Sequence, residues 1–301
     1  MLIQLKKSVW LSVLLLLLCS NSVYAQINLF ACEPEWAALA RTLGGNAVKV
    51  YSATTAQQDP HHIQARPSLI AKVRRADLLV CTGAELEVGW LPLLLRKSGN
   101  GAIQPNHPGH FMAADHTTLL EKPVVLDRSL GDIHAAGNPH FHFDPYRILQ
   151  IAKALTTRMA KIDPANSDLY QKNGLDFSRT WDQAIKQWEQ KFKALRGKRV
   201  VVNHNNWVYL EQWLGLKKIA TLEPKPGIPP SSAHLSKILA LLKQNPADMI
   251  LYANYQNNKS ARWLSQKTGI PVVGLPFSVS EKESLIWWFE RLLNQLLSAG
   301  S

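Results

Sequence analysis

Three histidines in distant parts of the chain stand in distinctive local settings: Asp59-Pro60-His61, Asn138-Pro139-His140 and Asn203-His204-Asn205. The neutral imidazole ring is the commonest protein ligand for zinc and its neighbours. Three such rings with a fourth position left over make a zinc site of the open type. Ligands this far apart cannot form a local finger, so the fold must bring them together. Proline directly before two of them restricts the backbone and helps to fix the rings. Spacing alone does not demand convergence, and each could instead be an ordinary surface or core histidine.

The elements that must position these rings alternate between strand and helix, the pattern of an α/β protein with parallel sheets. Apolar runs predict strands at residues 27–31, 48–52, 78–81, 198–203, 249–253 and 272–275. Helices are expected at 35–44, 66–75, 88–97, 231–243, 259–268 and 283–297, and 100–123 reads as loop. In the middle, Asp144-Pro145 opens a helix to about Lys161, with proline at a favourable first-turn position. Residues 165–195 read as one long helix with Gly174 as a weak point. The expected architecture is α/β with two lobes of parallel-sheet units joined by a long linking helix. Residues 26–143 form the N-terminal lobe, 144–197 the helical linker and 198–301 the C-terminal lobe. Ligands of open α/β sheets sit beyond the carboxyl ends of strands. His61 follows the second strand, His204 follows Val200–Val202, and His140 lies just ahead of the helical middle. All three can meet in a cleft between the lobes.

Residues 1–25 read as an export signal: Lys6 and Lys7, an apolar run from Trp10 to Leu18, then Val23-Tyr24-Ala25 before the cleavage point. The run is shorter than the roughly 20 residues of a membrane span. Leu18 precedes Cys19 where a lipobox requires Gly, Ala or Ser, so a soluble exported protein beginning at Gln26 is expected, placed in the periplasm. Cleavage removes two lysines and no acids, lowering the formal charge from +12 to +10. Those charges are scattered without aromatic interleaving, which argues against nucleic acid as a partner. Cys32 and Cys81 remain, each after an apolar run, and an even count in an exported chain suggests a disulfide. They would meet if those two strands are neighbours in a parallel sheet; two small buried thiols are the alternative. No CxxC pair supports a thioredoxin-like or zinc-ribbon reading.

Four segments carry a resemblance. Asp59-Pro60-His61-His62-Ile63-Gln64-Ala65-Arg66-Pro67-Ser68, the stretch Ala76–Glu87, Gly137-Asn138-Pro139-His140-Phe141-His142-Phe143-Asp144-Pro145 and Val202-Asn203-His204-Asn205-Asn206-Trp207 occur in the order seen in cluster A-I substrate-binding proteins of metal ABC importers. These are the zinc and manganese solute-binding proteins. The resemblance implies metal ligands at His61, His140 and His204. Histidine at the third place is typical of the zinc members, and a carboxylate there of the manganese members. Imidazole-rich sites also suit zinc, whereas manganese prefers oxygen.

The chain departs from the family pattern twice. Many members carry an Asp ligand near the last strand, but Gly274-Leu275-Pro276-Phe277-Ser278-Val279-Ser280 has no carboxylate. The fourth position is then water or a residue from elsewhere: Glu223, as ligand or as hydrogen-bond partner of a ligand, or His62, or His142, which shares a face with His140 if that segment is extended. The long His- and Asp-rich loop of many zinc members is also missing. His107, His110 and His116, with His134 beyond them, could offer weak accessory binding or be merely solvated. The function implied is capture of Zn2+ and its delivery to an ABC importer permease, with a periplasmic metallochaperone as a further candidate partner. A Mn2+ or iron carrier is the alternative. A zinc hydrolase is less favoured, because HExxH is absent and no carboxylate is assigned as general base.

Overall fold

The computed structural model describes residues 26–124 and 134–300, so the expected export signal and its cleavage site lie outside the described residues. The first half builds β1 (Ile27–Ala31), α1 (Pro34–Gly44), β2 (Val48–Ser52), α2 (Pro67–Val73), β3 (Leu78–Cys81), α3 (Leu91–Ser98) and β4 (His110–Met112). Its strands form one parallel sheet in the order β2-β1-β3-β4. Two helices follow, α4 (Pro145–Ile162) and α5 (Ser167–Lys191). The second half builds β5 (Arg199–Val202), α6 (Val208–Leu214), β6 (Lys217–Thr221), α7 (Ser232–Gln244), β7 (Met249–Ala253), α8 (Lys259–Thr268), β8 (Val272–Leu275) and α9 (Leu285–Gly300). These strands pair in parallel in the order β6-β5-β7-β8. The sequence shows no internal repeat, yet the two sheets share one topology.

Inner parallel strands are covered on both faces and are therefore apolar throughout. Leu78, Leu79, Val80 and Cys81 are all fully buried, as are Val200, Val201 and Val202. The two strands missing from the sequence reading lie at sheet edges: β4 is three residues long, and β6 opens on Lys217-Lys218. Short and charged strands are what an edge tolerates, and neither trait produces an apolar run. The helix expected from residue 88 begins at Leu91, because Gly89 and Trp90 belong to a turn beneath the His61 loop.

The long helix is one arm of a hairpin, with α4 packed along α5. Pro145 sits in the first turn of α4, and the Asp144 side chain accepts from the N–H groups of Tyr146 and Arg147, capping the helix. Gly174 does not weaken α5, which runs through it. A Cβ there would fall 2.6 Å from Thr156 Oγ1 of α4, so glycine permits the close approach of the two helices. The closing helix α9 packs on α1, α5 and β8 together. One apolar core consequently runs through both halves, from Leu29 and Leu78 through Trp181 and Trp188 to Val200, Leu251 and Leu292. Among the described residues no helix is long and apolar enough to cross a membrane.

Because β1 and β3 are neighbours, Cys32 and Cys81 reach the same sheet edge and form a disulfide, with Cα atoms 4.8 Å apart. Beyond that edge lie the loops that carry the histidines.

Candidate metal site

His61 and His140 are held by the same local device. In Asp59-Pro60-His61, Asp59 Oδ1 accepts from the His61 backbone N–H (3.0 Å) and from Nδ1 (2.7 Å). In Asn138-Pro139-His140, Asn138 Oδ1 accepts from the His140 backbone N–H (3.0 Å) and from Nδ1 (2.9 Å). An oxygen acceptor two residues back thus fixes both the turn and the ring. His204 has its partner on another element: Glu223, in the loop after β6, accepts from Nδ1 at 2.7 Å and also holds the Gly227 N–H at 2.9 Å. In all three rings the proton therefore sits on Nδ1, and the lone pair sits on Nε2.

The three rings come together, with centroids 5.5 Å (His61 to His140), 6.1 Å (His61 to His204) and 5.7 Å (His140 to His204) apart. Among the described residues, the compact group of three ligand-type side chains, with atoms all within 4.8 Å of one another, is Cys32, Cys81 and Glu87, whose sulfurs are tied in the disulfide. His140 is 1% exposed, and its Nε2 is buried with no hydrogen-bond partner among the described residues. Burial holds the His140 pKa well below the usual histidine range, with the neighbouring His61 and His204 adding to the effect. The ring is therefore neutral, as a ligand must be. Burial alone would raise Asp59, but the hydrogen bond and charge of His61 outweigh it and leave the carboxyl low.

Two openings flank the rings. His61 and His204 line a cavity of about 570 Å³ together with Asp59, His62, Glu223 and Tyr255. His140 and His204 line a smaller one of about 170 Å³ together with His134 and Asn138. Supports come from below. Trp90, itself buried, donates from Nε1 to the Pro60 carbonyl at 2.8 Å, and Tyr209 donates from its hydroxyl to the Asn138 carbonyl at 2.6 Å. Asn138 Nδ2 donates to the Asn205 carbonyl at 2.8 Å, joining the His140 and His204 loops.

The other candidate residues separate. The segment after His140 is a helical turn, Phe141–Phe143, not an extended run, so His142 does not share a face with His140. Its Nε2 donates to the Phe277 carbonyl (3.2 Å), and its Nδ1 faces Glu35 Oε1 at 3.7 Å, away from the cluster. Ser278, in the loop that lacks a carboxylate, donates to Glu35. His62 lines the larger cavity, its ring 6.1 Å from that of His61. The loop histidines do not act as a group. His110 Nδ1 is bonded to the Ile103 carbonyl at 2.9 Å, and His116 stacks on Phe111 at 4.5 Å. Only His134 reaches the site, its Nε2 lying 3.3 Å from Nε2 of His61. Burial, with His61 second, lowers its pKa to about 4. Tyr209 belongs to the run Trp207, Tyr209, Trp213, which reads in the sequence as an aromatic cleft or, more economically, as a helix packed under His204; Trp90 and Tyr255 were not singled out, because an aromatic with a polar tip beside a loop carries no distinctive spacing.

The family model for zinc-uptake complex component A, periplasmic (ZnuA), matches residues 30–299. The chain is 25% identical over 215 residues to the high-affinity zinc uptake system protein ZnuA of Bacillus subtilis (strain 168), covering 70% of this chain and 66% of that protein. It is 20% identical over 284 residues to the manganese ABC transporter substrate-binding lipoprotein PsaA of Streptococcus anginosus, covering 91% of this chain and 89% of that protein. A crystal structure of ZnuA superposes with a TM-score of 0.75 at 20% identity, covering 92% of this chain and all of that one, which establishes the two-lobed fold. By the match to its family model across nearly the whole of the described chain, the protein belongs to the ZnuA family of metal-uptake substrate-binding components.

Proposed function

We propose that this protein is an extracytoplasmic carrier, periplasmic in location, that captures a zinc ion with His61, His140 and His204 and hands it to an ABC importer permease. The observation that carries this reading is the set of three imidazoles, each with Nδ1–H tied to a side-chain oxygen, whose ring centroids lie within 6.1 Å of one another. Such outer partners fix the tautomer and raise the basicity of the ligating nitrogen. The chemistry is ligand exchange: the ion loses water and gains imidazole nitrogen, and no covalent bond of a substrate breaks. Protons compete for the same lone pairs, so capture weakens at acid pH.

Zinc is favoured over manganese because, among the described residues, imidazole nitrogens dominate the cluster. A relative named for manganese makes that ion the second reading, and competition between the two metals separates them. A hydrolase is disfavoured by a specific arrangement. Among the described residues, the carboxylates hydrogen-bonded to the three rings, Asp59 and Glu223, are committed to Nδ1 protons and are not poised as general bases. Release follows from local loop movement, since a core shared by both halves opposes wide opening of the lobes.

The test is the metal content and competitive zinc affinity of purified protein, beside a H61A/H140A/H204A variant. One tightly held zinc, lost in the variant, is the expected result. Equal binding by the variant would overturn the assignment.

A further inference from the structure

His134 is the one loop histidine that the fold delivers to the cluster, and its placement is built. It opens a short turn in which Gly137 N–H donates to the His134 carbonyl at 3.1 Å. Gly137 has φ of +119°, and a Cβ there would lie 2.7 Å from the Leu120 carbonyl oxygen, so this turn requires glycine. Glu85 accepts from the Ala135 N–H at 2.7 Å. Glu85 and its neighbour Ala84 both have positive φ, +66° and +51°, a conformation that non-glycine residues seldom adopt. Glu87 holds that strained bend from below, accepting from the N–H groups of Thr82 at 2.7 Å and Gly83 at 3.0 Å. The end of β3 is thus bent to clamp the residue after His134, while Asn138 N–H, bonded to the Leu120 carbonyl at 2.8 Å, fixes the other end of the turn.

The ring meets His61 nitrogen to nitrogen, Nε2 to Nε2 at 3.3 Å, with centroids 5.3 Å apart. His61 Nδ1 gives its proton to Asp59, so its Nε2 presents a lone pair toward His134. His134 Nδ1 is buried, and the ring has a backbone hydrogen-bond partner in Ala84 of the bend. Zinc binds imidazole nitrogen at about 2.0–2.1 Å in a tetrahedron, which sets neighbouring ligand nitrogens about 3.3 Å apart. The His61–His134 separation is already that edge. The smaller cavity places His134 beside His140 and His204 as well.

We infer that His134 is the fourth ligand, closing an all-imidazole tetrahedral site in the place where a carboxylate or water would otherwise sit; this rests on the three-histidine carrier reading above. Four neutral nitrogens and no oxygen donor would sharpen discrimination against manganese. They also leave no open position of the kind a catalytic zinc retains. The competing account is a plain hydrogen bond in which His134 Nε2–H donates to His61 and occupies the lone pair an ion would need. The two accounts predict opposite signs for the same variant.

The experiment measures competitive zinc affinity and the X-ray absorption fine structure of the one-zinc protein for wild type, H134A, H134D and H61A. Thermal melts without metal check that each variant folds. If His134 is a ligand, H134A binds zinc more weakly by at least the roughly 10- to 100-fold seen when an outer-shell partner is lost. Its spectrum would show three imidazoles and one oxygen in place of four imidazoles. H134D would keep four ligands and narrow the zinc-to-manganese preference. Unchanged or tighter zinc binding by H134A, with three imidazoles already in the wild type, overturns the inference while the three-histidine reading stands. Wild-type affinity in H61A as well would bring down both.

Discussion

The two sheets have the same strand order and use equivalent positions for opposite purposes. Past β1, an inner strand of the first sheet, come Cys32 and Glu33, which brace; the loop that carries the proposed ligand His61 follows the edge strand β2. Past β5, the counterpart of β1, comes His204; the brace, Glu223, follows the edge strand β6. A histidine at the end of an inner strand is fixed by the sheet itself and needs one side-chain partner. A histidine on a loop beyond an edge strand is not, and the first lobe gathers around it a disulfide, the Trp90 hydrogen bond and a buried acid pair. The difference shows that topology fixes where a ligand can be offered, whereas the rigidity of that offer is supplied case by case.

If that is right, breaking the disulfide should have the largest effect. Replacing Cys32 and Cys81 together by serine removes a link spanning 49 residues and should cost about 2–5 kcal/mol of stability, seen as a lower thermal or urea midpoint. An unchanged midpoint would mean that the hydrogen-bonded braces suffice. Next in size are the two ring partners. Asp59→Asn and Glu223→Gln should each weaken zinc binding by about 10- to 100-fold. Glu223→Gln should be the more costly, because the Glu223 side chain is 14% exposed against 36% for Asp59. The reverse ranking in a competitive titration would contradict the account of the inner-strand histidine as needing that single partner.

The smallest effect concerns Glu33 and Glu87. Both accept from the Thr82 N–H, at 3.1 and 2.7 Å, with Glu33 also accepting from the Thr82 hydroxyl at 2.9 Å. Burial, with the nearby Glu87 charge second, pushes the Glu33 carboxyl well above its usual range, and burial lifts Glu87 to about 7. The native pair retains protons that the unfolded chain has released, so stability falls as pH rises from the ordinary carboxyl range through about 7. Glu33→Gln, an isostere of the protonated acid, should match the wild type near pH 4 and melt progressively higher than it toward pH 8. A constant difference across that range would dismiss the shared proton.

Most of the scaffold was legible because inner parallel strands must be apolar and helices carry their own period; β1, β2, β3, β7, β8 and α8 fall where the pattern placed them. The edge strands β4 and β6 were not, since an edge imposes no such composition. At the site, proline before His61 and His140 marked a turn, but the acceptor two residues earlier was visible only once the turn was built. His142 was misjudged because a helical turn and an extended segment cannot be told apart over three residues. His134 was grouped with solvated neighbours because what brings it to His61 is a clamp from Glu85, 50 residues away, and no local pattern records it.

The core that runs unbroken through both halves ties cargo to survival. An ion held by His61, His140 and His204, as proposed, would stabilise the folded molecule as a whole, by about 4 kcal/mol when free metal exceeds Kd a thousandfold. A loaded carrier should therefore resist proteases far longer than an empty one. Under metal starvation, the cell's quality-control proteases would clear the idle copies first, and abundance would itself report supply.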